Sequence, residues 1–222
     1  GAGDLAGGRP VAAPGPAVVR GLSTSAAERG YPASIGSLAL RSAASRWMNR
    51  RFSIDVDPSA VAACVGSKEF VVTVPQWLRL RSPDRDTVLY PAVSYPSYEM
   101  GASLAGCRAV AVPAIARWVN SPGNPSGALD DLGAAAAWGR RHGVPVLSDE
   151  CYAEFTWEGP ARTILEHGLE GVIAVHSLSK RSNLAGARVA FYSGDPDLVH
   201  YLSEVRKHAG LMMPGPVQAA GV

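Results

Sequence analysis

The feature that most constrains the fold is a series of short apolar runs, each ending in turn or polar residues and separated by stretches with helical spacing. Six runs are candidate strands: residues 87–90, 109–112, 115–119, 144–147, 172–175 and 189–192. They show little alternation of apolar and polar residues, as is typical of strands buried on both faces. The pattern predicts an α/β fold with a mostly parallel sheet and helices on both faces.

Apolar residues at helical spacing fill the connections between these runs. Residues 35–51 fit one amphipathic helix, with Ser34 or Ser37 as its cap. Further helices are predicted at residues 96–105, 130–142 and 196–208. The apolar stretch 70–80 contains Pro75, which predicts a kinked or short helix there.

Length and composition indicate one large globular domain with a small-molecule ligand. The chain has 222 residues, of which 47% are hydrophobic, and a formal net charge of +2. The charges are scattered, so nothing favours a nucleic-acid or membrane-surface partner. Cys64, Cys107 and Cys151 form no CxxC motif and no Cys/His cluster, which predicts core thiols, a reducing compartment and no metal site. Without an apolar span or a signal pattern, we expect a cytoplasmic protein.

The two ends of the chain differ in character from its middle. Residues 1–16 are rich in Gly, Ala and Pro, which predicts an N-terminal arm before a domain at 17–222. The chain stops just after a Pro-Gly-Pro that resembles a helix start, so we expect the domain to be incomplete at its C-terminus.

The sharpest motif is His176-Ser177-Leu178-Ser179-Lys180, directly after a candidate strand, with Arg188 eight residues beyond the lysine. A lysine at a strand end is usually just solvated. Pyridoxal 5′-phosphate (PLP), however, needs an amine for its aldehyde, and hydroxyls and a guanidinium for its phosphate. This segment can supply all three.

Polar residues also follow two other candidate strands. Asp149 is either a helix cap or a carboxylate that pairs with the protonated pyridine nitrogen of PLP. Tyr152, three residues later, would donate to the phenolic oxygen of the ring. Asn124 lies in an Asn/Pro/Gly loop that is either a plain turn or a way to aim an amide at a cofactor oxygen, and the Asn124-Pro125 bond is a candidate for the cis form.

Two weaker motifs precede these. Gly66, Ser67 and Lys68 are typical of a helix start that offers N–H groups and a hydroxyl to an anion. Tyr95 could place its ring over a flat cofactor, with a surface turn as the alternative. Asn124, Asp149 and Lys180 each follow a different strand, so the sheet would bring them to one edge.

The combination of SLSK, an Arg eight residues after the Lys, SDECY and NSPxNPSG resembles the class I/II aminotransferases of PLP fold type I, from about residue 4 to the last residue. GYPxxxGxxxLR, GSKE, SYPSYExGAxLAG and RKHAGxMxPxPVQAA look most like the succinyldiaminopimelate aminotransferases of lysine and cell-wall biosynthesis. In that family the chain continues into a small C-terminal domain, which carries an arginine for the substrate α-carboxylate. No matching segment is present here, so cofactor binding with poor turnover is the expectation.

The resemblance implies a role for each motif residue. Lys180 would form the Schiff base and move a proton at the substrate α-carbon, while Asp149 holds the pyridine nitrogen. Asn124 and Tyr152 would bind the ring oxygen, and Tyr95 would cover the ring face. The phosphate would be bound by Gly66, Ser67, Lys68 (through its backbone), Ser177, Ser179 and Arg188. Tyr31 would reach the phosphate in the partner subunit, and Gly8 would bind the substrate carboxylate. A shared site of this kind implies a homodimer.

The implied function is amino-group transfer between an amino acid, such as N-succinyl-diaminopimelate or glutamate, and a 2-oxo acid. A PLP-dependent β-elimination or C–S lyase shares the same residue set and is one alternative. A truncated, non-catalytic PLP-fold module is another. A nucleotide-binding α/β protein is disfavoured because no GxGxxG or GxxxxGK[ST] follows a strand.

Overall fold

The computed structural model describes residues 14–23, 30–113, 118–157 and 159–222. Its strands are β1 (Val61–Cys64), β2 (Thr87–Pro91), β3 (Arg108–Val112), β4 (Trp118–Asn120), β5 (Val146–Asp149), β6 (Val172–Ser177) and β7 (Ala190–Gly194). Its helices are α1 (Pro16–Ser23), α2 (Leu38–Phe52), α3 (Ser67–Arg81), α4 (Ser97–Leu104), α5 (Leu132–His142), α6 (Leu178–Arg181), α7 (Pro196–His208) and α8 (Gly215–Ala220). Within these ranges no helix has both the length and the apolar character of a membrane span.

Five strands form the central sheet in the order β1-β7-β6-β5-β4. Strands β6, β5 and β4 pair in parallel, and β7 runs antiparallel to both of its neighbours, so β1 points the same way as β6. The predicted α/β fold with a mostly parallel sheet is confirmed. Strands β2 and β3 lie outside the central sheet and form a separate parallel pair.

Helices cover both faces of the central sheet, as predicted. Along β6, Val172 and Ala174 face a cluster that includes Met48 of α2 and Ala136 of α5. Ile173 and Val175 face the opposite cluster, which includes Phe70 of α3, Tyr98 of α4 and Leu202 of α7. The central strands are therefore buried on both sides, which is why their sequences lack alternation.

Most predicted elements are present, with shifts of a few residues at their ends. Ser37 caps α2 by accepting from the backbone N–H of Leu40 at 3.3 Å, and α7 has the predicted bounds. Strand β1 was not predicted, because it has only four residues, two of them alanines, and so carries little apolar signal. Helix α3 runs for 15 residues through Pro75, so it is not short. Of the predicted strand 115–119, residues 115–117 lie outside the described part of the chain.

A buried ion pair ties the start of α3 to α7. Arg206, whose side chain is 1% exposed, donates from two guanidinium nitrogens to the two carboxylate oxygens of Glu69, at 2.8 and 2.7 Å. Glu69 also accepts from the backbone N–H of Val65 at 3.1 Å, just before the helix begins. A bidentate pair of this kind sets orientation as well as distance, so it fixes where the N-terminus of α3 points.

We expect Glu69→Gln to lower the free energy of unfolding by about 3 kcal/mol, because it leaves the buried Arg206 without its charge partner. The value lies at the low end for buried pairs because Glu69 keeps some solvent access. Urea unfolding at neutral pH measures it. Glu204→Gln removes the exposed Glu204–Lys207 pair and should change stability by no more than about 0.5 kcal/mol. Equal effects of the two variants would contradict a structural role for the Glu69–Arg206 pair.

Candidate active site

Strand register brings the predicted polar residues to one edge of the sheet. Asn120 at the end of β4 lies opposite Asp149 at the end of β5, and Asp149 lies opposite Val175 of β6. Ala190 of β7 lies opposite both Ser177 at the end of β6 and Cys64 at the end of β1. The ends of four strands therefore meet at one edge, with Asn124, Lys180 and Arg188 in the segments around it.

Asp149 is held in place through both carboxyl oxygens. The hydroxyl of Tyr98 donates to Oδ2 at 2.9 Å, and the backbone N–H of Cys151 donates to Oδ1 at 3.2 Å. Burial raises the pKa of Asp149, and the hydrogen bonds from Cys151 and Tyr98 oppose that rise. Asp149 does cap the turn at Cys151, but the next element is a 3₁₀ turn (Ala153–Phe155) and not an α-helix. Its oxygens keep acceptor capacity for a further donor.

Asn124 and Tyr152 form an amide–phenol pair close to Lys180. The Asn124 side-chain amide donates to the Tyr152 hydroxyl oxygen at 3.3 Å, and Lys180 Nζ lies 5.9 Å from the centre of the Tyr152 ring. Burial, aided by nearby Cys151, Asp149 and Tyr95, raises the pKa of Tyr152 to about 12, so its hydroxyl keeps a proton to donate. The Asn124-Pro125 bond is cis, as hypothesised, and so is Ser121-Pro122.

A guanidinium lies against the N-terminus of α3. Gly66 precedes this helix with a φ of 85°, a conformation that favours glycine. A Cβ at Gly66 would collide with the guanidinium of Arg188. Arg188 also donates to the hydroxyl of Ser179 at 3.3 Å. A cation, a hydroxyl and the first N–H groups of a 15-residue helix thus surround one small space, which suits an anion.

The other predicted phosphate residues lie around this space in different ways. Ser67 opens α3, and its hydroxyl lies within hydrogen-bonding reach of the Cys151 thiol. Ser177 is buried, and its hydroxyl accepts from the backbone N–H of Ser179 at 3.1 Å, capping α6. Lys68 extends its side chain to the Tyr95 hydroxyl at 2.8 Å, at the rim of the site.

Tyr31 and Gly8 are the remaining predicted site residues. Tyr31 is 94% exposed, so its ring is available to another surface. Gly8 falls outside the described residues.

Sequence reasoning missed two residues that hold the site together. Tyr98 is buried and donates to Asp149, whereas the sequence pattern indicated Tyr95 of the same YPSY motif. Asn120 donates from its side-chain amide to the Asp149 carbonyl at 2.9 Å, and its side-chain oxygen accepts from the backbone N–H of Asn124 at 2.8 Å. A polar residue ending a buried strand, as Asn120 does, was the available signal.

Together these groups suit a flat aromatic ligand that carries a phosphate. A carboxyl, an amide–phenol pair, an amine and an anion cradle lie along one sheet edge. Each can meet a different part of such a ligand: a basic ring nitrogen, a ring oxygen, an aldehyde and a phosphate.

Comparisons with known proteins agree with this geometry. Residues 9–222 match the model of the family Aminotransferase class I and II. The chain is 42% identical, over 99% of its length, to the 4-dedimethylamino-4-oxo-anhydrotetracycline transaminase OxyQ of Streptomyces rimosus, of which it covers 65%. It is 32% identical, over 86% of its length, to the LL-diaminopimelate aminotransferase of Aquifex aeolicus, of which it covers 56%. The chain thus spans less than two thirds of the length of either relative.

A solved structure shows the same fold. The crystal structure of aminotransferase AspB from Helicobacter pylori matches 96% of this chain with a TM-score of 0.89 and 24% sequence identity, and 65% of that chain is covered. At this identity the likeness speaks for the fold alone.

We expect Tyr98→Phe to destabilise the protein more as pH rises. The pKa of folded Asp149 is raised, so its stabilising contribution is present below the usual value of 3.8 and is lost as pH rises through the folded pKa. Removing the hydroxyl raises that pKa further, and ionised Asp149 then lacks a hydrogen bond that contributes about 1.5–3 kcal/mol to a charged group. Urea unfolding between pH 4 and 8 measures the difference.

Tyr201→Phe is the matched control for this measurement. Its hydroxyl donates to the backbone carbonyl of Trp77 at 2.8 Å, an acceptor that does not titrate. The loss in this variant should stay constant with pH. A pH-independent loss in Tyr98→Phe as well would show that the Tyr98 hydroxyl does not support the charge of Asp149.

Proposed function

The chain belongs to the class I and II aminotransferases, and on that premise we propose that it binds PLP through Lys180 and transfers an amino group between an amino acid and a 2-oxo acid. Members of this family depend on PLP. The observation that carries the proposal is the meeting of Lys180, the half-buried carboxyl of Asp149 and the Arg188 cradle at one sheet edge.

The cradle at Gly66 fits the cofactor phosphate. A phosphate dianion needs fixed positive charge and N–H donors, which Arg188 and the first turn of α3 supply. A side chain at position 66 would collide with the Arg188 guanidinium, so glycine is what lets this cation lie against the start of α3. Ser67 and Ser179 add hydroxyls at its border.

The ring of the cofactor fits the remaining groups. Asp149 would accept from a protonated ring nitrogen, which would favour its ionised form against the effect of burial. Tyr152 would donate its retained proton to the ring oxygen, with Asn124 beside it. Tyr95, at the rim near Lys68, would cover the ring face.

When bound, PLP supplies an aldehyde that condenses with amines and a ring that accepts electrons from the substrate α-carbon. Lys180 would supply the amine that holds the cofactor and the base that moves a proton at the substrate α-carbon. Asp149 would keep the ring nitrogen protonated by holding negative charge in a partly buried position. Tyr98, through its hydrogen bond, keeps the Asp149 carboxyl oriented.

We extend the proposal to the substrate, the assembly and the organisation of the chain. Sequence motifs favour a dicarboxylic amino acid, either N-succinyl-diaminopimelate or glutamate, and a place in lysine biosynthesis. Gly8 would border the substrate carboxylate. The exposed ring of Tyr31 would reach the phosphate site of a second copy in a cytoplasmic homodimer. Residues 1–16 would form an arm, and 17–222 the cofactor-binding large domain.

Borohydride reduction of the PLP-loaded chain tests the proposal. We expect peptide mapping to find the pyridoxyl group on Lys180, because its amine lies beside the Asn124–Tyr152 pair. Lys68 and Lys207 are internal controls, since one points to Tyr95 and the other pairs with Glu204. Labelling on either of them, with Lys180 unmodified, would contradict the assignment.

Asp149→Asn should bind PLP but carry out the half-reaction with an amino acid far more slowly. A neutral amide no longer holds the ring nitrogen protonated, so the barrier should rise by roughly several kcal/mol. Stopped-flow absorbance with glutamate measures the rate. Near-normal conversion would mean that Asp149 serves as a turn cap and nothing more.

A further inference from the structure

A second carboxyl lies beside Asp149, on the opposite face of the sheet. Glu150 is 2% exposed and points toward the cluster that contains Ile164, whereas the Asp149 partner Tyr98 belongs to the other cluster. Its Oε1 accepts from the Ser148 hydroxyl and from the backbone N–H of Ile164, both at 2.8 Å. Its Oε2 lies 3.4 Å from Nε2 of His176 and meets no other hydrogen-bond partner among the described residues.

His176 is enclosed just as fully. It is 1% exposed, and three aromatic rings surround it, those of Trp47, Phe52 and Phe191, with centroid distances of 5.0, 5.8 and 5.2 Å. In the part of the chain that the structure describes, neither ring nitrogen has a well-aligned hydrogen bond. Buried polar atoms without hydrogen-bond partners are rare because they cost free energy. A hydrogen bond between Oε2 of Glu150 and Nε2 of His176 would satisfy both atoms.

We propose that Glu150 and His176 share one proton, with the Glu150 carboxylic acid donating to His176 Nε2, and that this neutral pair positions the ends of β5 and β6 that carry Asp149 and Lys180. Glu150 directly follows Asp149, and its backbone N–H donates to the Val175 carbonyl at 2.9 Å. His176 directly precedes Ser177, which caps the helix that contains Lys180. The pair therefore joins the ends of the two strands directly beside the residues of the site.

Burial favours the neutral form of both groups. It raises the pKa of Glu150 to about 7, against the hydrogen bonds from Ile164 and Ser148, while the neighbouring Asp149 adds to the rise. Burial also lowers the pKa of His176 to about 3.

The charged groups around the pair act in the same direction. Arg181 is the cation that faces His176, and it lowers the pKa of the imidazole further, while the Glu150 backbone carbonyl opposes the fall. Arg181 itself stacks on Trp47 at 3.9 Å and lies 4.0 Å from Glu154. A neutral imidazole that accepts from a carboxylic acid is the state that satisfies these surroundings.

The neutral pair bears on the cofactor site through charge, and this step rests on the proposed function. Like charges close together disfavour each other's ionisation. If Glu150 stays protonated, Asp149 is the carboxyl at the end of β5 that ionises, and it can pair with a protonated ring nitrogen. The chain thus places two adjacent carboxyls in opposite protonation states.

Glu150→Gln and Glu150→Ala in the full chain separate the hydrogen bond from the charge. Glutamine keeps an oxygen for Ser148 and Ile164 and offers a permanent N–H to His176, whereas alanine removes both. At pH 5 we expect the urea concentration at the unfolding midpoint of Glu150→Gln to be close to that of wild type. The midpoint of Glu150→Ala should be clearly lower. From pH 5 to pH 8 the stability of wild type should fall relative to Glu150→Gln, because a raised folded pKa stabilises at low pH and that stabilisation is lost through about 7.

Nitrogen-15 NMR of His176 reads the proton directly. We expect a neutral imidazole that carries its proton on Nδ1, in both wild type and Glu150→Gln at pH 6. An imidazolium, a proton on Nε2, a Glu150→Gln variant as unstable as Glu150→Ala, or a pH-independent difference from wild type would overturn the shared proton. Glu204→Gln, at an exposed carboxylate, should show no such pH dependence.

Cofactor affinity tests the positioning role. Glu150→Gln should bind PLP as wild type does, and Glu150→Ala should bind more weakly by roughly tenfold, equivalent to about 1.4 kcal/mol. Unchanged affinity in Glu150→Ala would overturn the positioning role. If wild type itself does not bind PLP, the proposed function fails, while the NMR and unfolding measurements still decide whether the proton is shared.

Discussion

The hydrogen-bond register of β4, β5 and β6 is the constraint on which the site depends. It sets Asn120 opposite Asp149, and it sets Ser177 two residues beyond the level of Asp149. Backbone pairing alone thereby brings residues that are far apart in sequence to one edge of the sheet. A slip of one residue would turn Asp149 to the opposite face, away from Tyr98, since strand side chains alternate.

Helices complete what the strand ends begin. The bidentate Glu69–Arg206 pair holds the start of α3, where Gly66 admits the Arg188 guanidinium. On the other side of the sheet edge, Asn120 ties the loop of Asn124 to the Asp149 backbone. The anion cradle and the carboxyl are thus supported by different sets of contacts, which meet at Cys151 between Ser67 and Asp149.

Much of the candidate site followed from residue types and their order, and this has a physical basis. Short apolar runs must become strands when both faces are buried, and the polar residues that end them must then lie at a sheet edge. Asp149, Asn124 and Lys180 could be placed in this way. Tyr98 could not, because its partner depends on how α4 packs against the sheet, and local patterns carry no such information.

The sequence by itself determined the α/β class, the positions of most elements and the set of chemical groups available for cofactor binding. It could do so because periodicity and turn residues are local properties of the chain. Tertiary structure alone decided that β2 and β3 leave the main sheet, that β1 joins β7, and that Glu150 faces His176 while its neighbour Asp149 faces Tyr98. These outcomes depend on contacts between distant segments, whose energies arise from burial and mutual packing and are set when the whole chain folds.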